Sequence, residues 1–245
     1  MKTYLVTGAS RGIGMAVAKQ LLAQGHTVWG TYFSGEDIAH QMETDNQNLN
    51  MVQVDLANYE SIDALAVRLD PVTFNGIVNS AGIFEEVDFN DFDIKALEKN
   101  FQVNAFAPVY LVSKLSHKLT DGSAIVNISS TDAVVGSNVG MGYSASKAAI
   151  SNLTLSLANV LAPRKIRVNA IAPGWIGDGM QAPQELLDLA ADYNPLKKLG
   201  KYEDMANLIL FLLSDQAAYV NGTVITADGG DMAKNYILSK ETELL

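Results

Sequence analysis

The sequence predicts an α/β fold: a doubly wound parallel sheet of seven strands, flanked by helices, in one domain covering 1–245. Three observations predict it. Seven short β-prone runs alternate with helical stretches, the pattern of repeated βαβ units. The chain opens on a strand, a glycine-rich turn and a helix, in that order. A hydrophobic content of 48% against 18% charged, with no Pro- or Ser-rich linker, suits a single large core.

Composition also narrows the partners. A net charge of −10 argues against a nucleic-acid or anionic-membrane surface as the main partner, since those need clustered Lys and Arg. With no cysteine, and with His26, His40 and His117 scattered without ligand spacing, no metal is expected. No apolar run reaches the length of a membrane span and the N-terminus lacks a signal-peptide core, so a cytoplasmic protein is the expectation.

The first strand is Tyr4 to Thr7, ended by Gly8. Thr7-Gly8-Ala9-Ser10-Arg11-Gly12-Ile13-Gly14 leads into Met15 to Leu22, which has helical periodicity. Glycines there let the backbone turn sharply and approach a pyrophosphate at the helix N-terminus, although a Gly-rich loop without a ligand has the same composition. Thr27 to Thr31 is the second strand. A site preferring NAD would carry Asp or Glu at its end, for the ribose 2′-hydroxyl. This chain has Tyr32-Phe33-Ser34, with Arg11 in the glycine turn to approach a 2′-phosphate, which favours NADP(H) over NAD(H).

A helix over 35–44 and a polar loop over 45–50 precede the third strand, Met51 to Val54, which ends in Asp55-Leu56. Asp55 suits an adenine amino group or a helix N-cap, and Asn58 is another candidate cap for the helix over 59–69. Gly76 to Asn79 is the fourth strand, followed by Ser80, Ala81 and Gly82, small residues that permit close ligand approach. A long helical segment covers 94–119, with Asn104 inside it and a kink expected near Pro108. The fifth strand, Ala124 to Ile128, delivers Ser129 and Ser130 at its carboxyl end, where open parallel sheets bind ligands.

Tyr143-Ser144-Ala145-Ser146-Lys147 begins the next helix, which runs to Leu161. Residues four apart share a face, so the Lys147 ammonium would sit beside the Tyr143 phenol and pull its pKa towards the range of proton transfer. A solvated helix face has the same spacing. Arg167 to Ile171 is the sixth strand, ended by Pro173-Gly174. A flexible segment and a small amphipathic helix over 184–192 follow, within a lid over about 175–200. A helix over 201–213, the last strand Val224 to Ala227 and the turn Asp228-Gly229-Gly230 complete the domain. The tail from Met232 to Leu245 has apolar ends suited to docking on a neighbour.

Taken together, these residues resemble the short-chain dehydrogenase/reductases over nearly the whole chain. The likeness rests on Thr7-Gly8-x-x-x-Gly12-x-Gly14, Asp55, Asn79-Ser80-Ala81-Gly82, Asn104, Ser130 thirteen residues before Tyr143, Lys147, Pro173-Gly174 and Asp228-Gly229-Gly230. The resemblance implies a Rossmann-type fold and a catalytic set of Asn104, Ser130, Tyr143 and Lys147. Tyr143 would be the general acid towards a carbonyl oxygen as NADPH delivers hydride. Lys147 would hold the nicotinamide ribose and lower the Tyr143 pKa, Ser130 would bond the substrate oxygen, and Asn104 would anchor a water through its backbone. It further implies cofactor contacts from Gly8, Ser10, Arg11, Gly12, Ile13 and Gly14, from Asp55, Leu56, Asn79, Ala81 and Gly82, and from Tyr143, Lys147, Pro173, Gly174 and Ile176.

Within the family the likeness is to 3-oxoacyl-(acyl carrier protein) reductases, through Ala9-Ser10-Arg11 and Arg167-Val168-Asn169-Ala170. That implies a 3-oxoacyl thioester or similar small carbonyl as substrate, and a homotetramer paired through the helices around Asn104 and Tyr143 and the edge strand near Val224. The chain departs from the family in three places. Ser80 replaces an Asn, Asp178 stands where Thr is common beside the nicotinamide carboxamide, and of two carrier-gripping arginines one matches Arg164 while the other is Asp121. A non-acyl ketone or secondary alcohol, and a non-catalytic NADP(H) sensor, are the alternative readings.

Overall fold

The computed structural model describes residues 1–234, and the tail expected to dock on a neighbour falls outside them from 235 onward. Seven strands form one sheet, every pair parallel, in the order β3-β2-β1-β4-β5-β6-β7. The strands are β1 (Thr3–Thr7), β2 (Thr27–Tyr32), β3 (Leu49–Gln53), β4 (Phe74–Asn79), β5 (Leu119–Ile128), β6 (Arg167–Pro173) and β7 (Val224–Ala227). The order reverses between β1 and β4, so their carboxyl ends diverge into a crevice, the ligand position of open α/β sheets.

Helices cover both faces because every connection between parallel strands must cross the sheet. On one face α1 (Gly12–Ala23), α2 (Glu36–Asp45) and α8 (Tyr202–Leu213) bury Val17, Leu21, Met42, Ile209 and Leu212 against the sheet. On the other, α3 (Tyr59–Arg68), α5 (Ala107–Leu115) and α6 (Met141–Leu161) bury Ile62, Leu65, Leu111, Leu115 and Leu161. Helices α4 (Ile94–Phe101) and α7 (Gln184–Tyr193) bury little, Asn100 and Leu187 respectively.

The helix expected over 94–119 departs most from pattern. It is broken into α4, a π-helical turn at Gln102–Phe106, α5, and a 3-10 turn at Ser116–Lys118 before β5 begins at Leu119. The reason lies in Pro108, which has no N–H to give the carbonyl of Asn104 four residues before it. The backbone widens ahead of the proline: the Ala107 N–H donates to Gln102, five residues back. Strand β5 starts five residues earlier than the apolar run suggests, with a register shift opposite Phe74 and Gly76. Among the described residues no helix is long and apolar enough to cross a membrane, and no cluster of His, Cys, Asp and Glu could hold a metal.

Candidate active site

The glycine turn joins β1 to α1. A Cβ at Gly14 would stand 2.3 Å from the Gly8 carbonyl oxygen, and one at Gly8, where φ is +68°, would stand 2.9 Å from the Ala81 Cα. Only glycine lets the turn close that tightly against β4. Thr7 Oγ1 ties the two strand ends together, accepting from the amides of Ser80 at 3.0 Å and Ala81 at 3.1 Å. Helix α1 starts at Gly12, three residues before its apolar periodicity begins, with no side-chain cap at Arg11 and no acidic residue in its first turn. Its free amides and positive dipole end therefore face the crevice, and that donor set fits a dinucleotide pyrophosphate.

Around the turn, Ser10 is buried and donates to the Ser34 carbonyl at 3.2 Å, fixing the loop after β2. Arg11 is exposed and makes no ion pair among the described residues. Phe33 is 66% exposed, and the end of β2 carries no carboxylate. Asp55 is not a helix cap: its Oδ1 accepts from Ala57 N at 2.8 Å, while Asn58 caps α3. Leu56 lies buried beside it. Asn79 donates to Asn127 at 2.8 Å, and its own Oδ1 is buried with no partner.

The π turn, the end of β5 and α6 bring the four catalytic candidates together. Asn104 is buried; its side chain accepts from the Ile83 N–H at 2.9 Å and donates to the Ile83 carbonyl at 2.9 Å and to Ser146 Oγ at 3.0 Å. Asn100, which sequence reasoning passed over, treats Glu85 the same way, accepting from its N–H at 3.2 Å and donating to its carbonyl at 2.9 Å. One helical turn spans roughly the rise of two extended residues, so a pair of Asn four apart can serve a chain at every second residue as a neighbouring strand would. This fixes the segment carrying Gly82, whose Cα side abuts Asn104 Oδ1 and Lys147 Nζ, and Phe84, whose ring lies 5.2 Å from that of Tyr143. Phe84 walls the site and has no signal in the sequence beyond following a small-residue turn.

Ser129 and Ser130 are sorted by orientation. Ser129 Oγ donates to the Lys147 carbonyl at 3.1 Å and pairs with Ser151 Oγ at 2.6 Å, so it serves the backbone of α6. Ser130 hydrogen-bonds the Tyr143 phenol and accepts from Asp132 N at 3.1 Å. Lys147 is buried, donates to the Ile128 carbonyl at 2.8 Å, and holds Nζ 5.5 Å from the Tyr143 ring centroid.

Burial dominates the electrostatics of the pair. Burial pushes the Tyr143 phenol up to about 12; the Ser130 hydrogen bond pulls the other way and Asp132 adds to the rise. Burial also brings Lys147 down to about 8. Burial disfavours the charged form of each group, which sets the direction of both shifts.

Beyond β6, Gly174 N donates to the Ala227 carbonyl at 3.2 Å, and Pro173 and Ile176 are buried. Ile176 bridges Gly200, anchoring both ends of the lid. Between them Gly177, Gly179, Met180 and Gln181 all have positive φ. Tyr202, at the start of α8, reaches back into this strap: its phenol donates to Asp178 Oδ1 at 2.7 Å and accepts from Asp178 N at 3.2 Å. Nothing in the sequence announces a contact between positions that far apart.

The sequence profile of a family described as enoyl-(acyl carrier protein) reductase matches residues 8–231. A 3-oxoacyl-[acyl-carrier-protein] reductase of Aquifex aeolicus is 35% identical, the match covering 94% of this chain and 96% of that protein. An acetoacetyl-CoA reductase of Rhizobium meliloti is 33% identical over 94% of this chain and 98% of its own. Among solved structures, a short chain dehydrogenase family protein from Francisella tularensis is 30% identical with a TM-score of 0.83, covering 96% of this chain and 100% of that one. The angucycline C-6 ketoreductase LanV with bound NADP is 29% identical with a TM-score of 0.86, covering 95% and 96%.

Proposed function

This chain belongs to the NAD(P)-dependent short-chain dehydrogenase/reductase family, and from that premise we propose that it reduces a ketone to a secondary alcohol with NADPH, Tyr143 acting as the general acid. The observation that carries the reading is the Tyr143 phenol, bonded to Ser130 with the Lys147 ammonium beside its ring, at the carboxyl edge of the sheet. A nicotinamide held here would supply hydride chemistry, and the proton for the carbonyl oxygen comes from the chain. With its pKa up at about 12, Tyr143 is protonated throughout the neutral range and always ready to give. An alkoxide is far more basic than a phenol, so the transfer runs downhill, and Ser130 offers the developing oxyanion a second fixed donor. The phenolate left behind is stabilised by the Lys147 charge.

The cofactor reading follows from Arg11 and the missing carboxylate after β2, with Gly8, Gly12, Ile13 and Gly14 lining the pyrophosphate and Asp55, Leu56, Asn79, Ala81, Gly82, Pro173, Gly174 and Ile176 completing the cradle. LanV, BdcA and a metagenomic blue fluorescent protein, each solved with NADP or NADPH, support it. For the substrate we favour a 3-oxoacyl thioester free of carrier protein, or a comparable small ketone. Arg164 is spent within its own chain: it donates to Asp121 at 2.9 Å, to the Ser116 carbonyl at 2.6 Å and to the Leu119 carbonyl, so it offers no free grip to a carrier. A cytoplasmic homotetramer is the expected assembly, its surfaces marked by exposed Phe106, Leu155 and Val160 and by the half-exposed strand β7.

The test is direct. Purified protein with NADPH and a panel of 3-oxoacyl thioesters and simple ketones should lose nicotinamide absorbance, and Tyr143→Phe should abolish the loss. An unchanged rate in that variant rejects the mechanism.

A further inference from the structure

The Tyr202 ring does more than fill space between α8 and the strap. Its Cε1 and Cζ atoms lie 3.6 and 3.9 Å from where a Cβ on Gly12 would stand, so it packs on the first residue of α1. The same ring occupies the Cβ position of Gly177, 2.2 Å from Cζ, which only a glycine at φ +59° permits. One aromatic ring thus separates the Asp178 carboxylate from the uncapped amides of α1. Those amides are the chain's anion site, and a carboxylate one ring away is an internal anion able to compete for it. Asp178 is instead held elsewhere: Oδ1 accepts from the Tyr202 phenol at 2.7 Å and from Met180 N at 3.1 Å, while the phenol oxygen accepts from Asp178 N at 3.2 Å. Both ends of the residue are clamped by a single hydroxyl.

We propose that Tyr202 is a positioning residue for dinucleotide binding, holding the Asp178 carboxylate away from the N-terminus of α1 so that the pyrophosphate does not compete with it. The inference rests on the cofactor lying in the glycine turn and not on the substrate or on the preference for NADPH.

Fluorescence titration of the full chain with NADPH and with NADH, alongside steady-state kinetics, tests it. Tyr202→Phe keeps the ring and removes the clamp; its dissociation constant for the preferred dinucleotide should rise about tenfold, with KM for that dinucleotide rising in parallel and kcat within about twofold. Adding Asp178→Asn to Tyr202→Phe should restore binding to within about twofold of the wild type, because the competing charge is gone. Wild-type affinity in Tyr202→Phe overturns the proposal, and so does a double variant as weak as the single one. A wild type that prefers NADH would change the cofactor reading and leave this comparison of variants intact.

Discussion

The crevice has two banks built on different terms. On one, the ends of β1, β4 and β5 are held by partners from far along the chain: Thr7 ties β4, Asn100 and Asn104 hold residues 85 and 83, and Lys147 bonds the end of β5. On the other, the strap after β6 is pinned at Ile176–Gly200 and at Tyr202, and between those pins the backbone takes left-handed turns at half-buried Gly177 and Gly179 and exposed Met180 and Gln181. The first bank is closely determined because many of its buried polar groups are paired across elements, which leaves few alternative arrangements. The second is loosely determined, the usual condition of segments that open and close over a site.

Substitutions on each bank should differ accordingly. The largest effect is expected from Tyr143→Phe: turnover falls by about 10³-fold, the scale of a lost general acid, while thermal unfolding stays near wild type because the ring remains beside Phe84. Next comes Lys147→Met, which should also cripple turnover and changes stability in a defined direction. The native pKa of about 8 lies below the unfolded 10.5, so between those values the unfolded chain binds more protons and wild-type stability rises with pH. The rise, at most of order 3 kcal/mol, should be missing from Lys147→Met in urea unfolding followed from pH 7 to 10.5. The same titration predicts that wild-type ketone reduction declines above about pH 8, as the cation beside Tyr143 is lost.

Gly14→Ala tests the first bank through its backbone. A methyl 2.3 Å from the Gly8 oxygen must displace main chain, costing about 1–3 kcal/mol in urea unfolding and removing dinucleotide binding in the same titration. The smallest effect belongs to the strap. Met180 sits at φ +62°, so Met180→Gly relieves about 1–2 kcal/mol of left-handed strain and adds back chain entropy of similar size. Net stability should stay within about 1 kcal/mol; a larger loss would show that the strap is as determined as the opposite bank.

The same division explains what could be read from sequence. The sheet, its seven strands and the glycine turn are local signals, carried by alternation, periodicity and the order strand–glycine–helix. Ser130 was separable from Ser129 only by its interval to Tyr143; geometry supplies the reason, since the Ser129 hydroxyl is occupied by the backbone of α6. Asn100, Phe84 and Tyr202 were invisible because each matters through a partner on another element. The phenol's environment is equally non-local. A neighbour four residues away is visible in sequence, whereas the burial that raises the phenol's pKa is a property of the whole packed site.

The π turn at Gln102–Phe106 has a consequence for how this gene can change. It holds one residue more than an ordinary helix of the same span, so α5 is read in a phase shifted by about 100° from α4. Deleting one residue there other than Asn104 would remove the extra residue and leave hydropathy and composition almost untouched. It would also swing Asn104 out of line with residue 83, or Leu111 and Leu115 out of the core. A single-codon loss that looks harmless on paper would separate the catalytic edge from the fold that carries it.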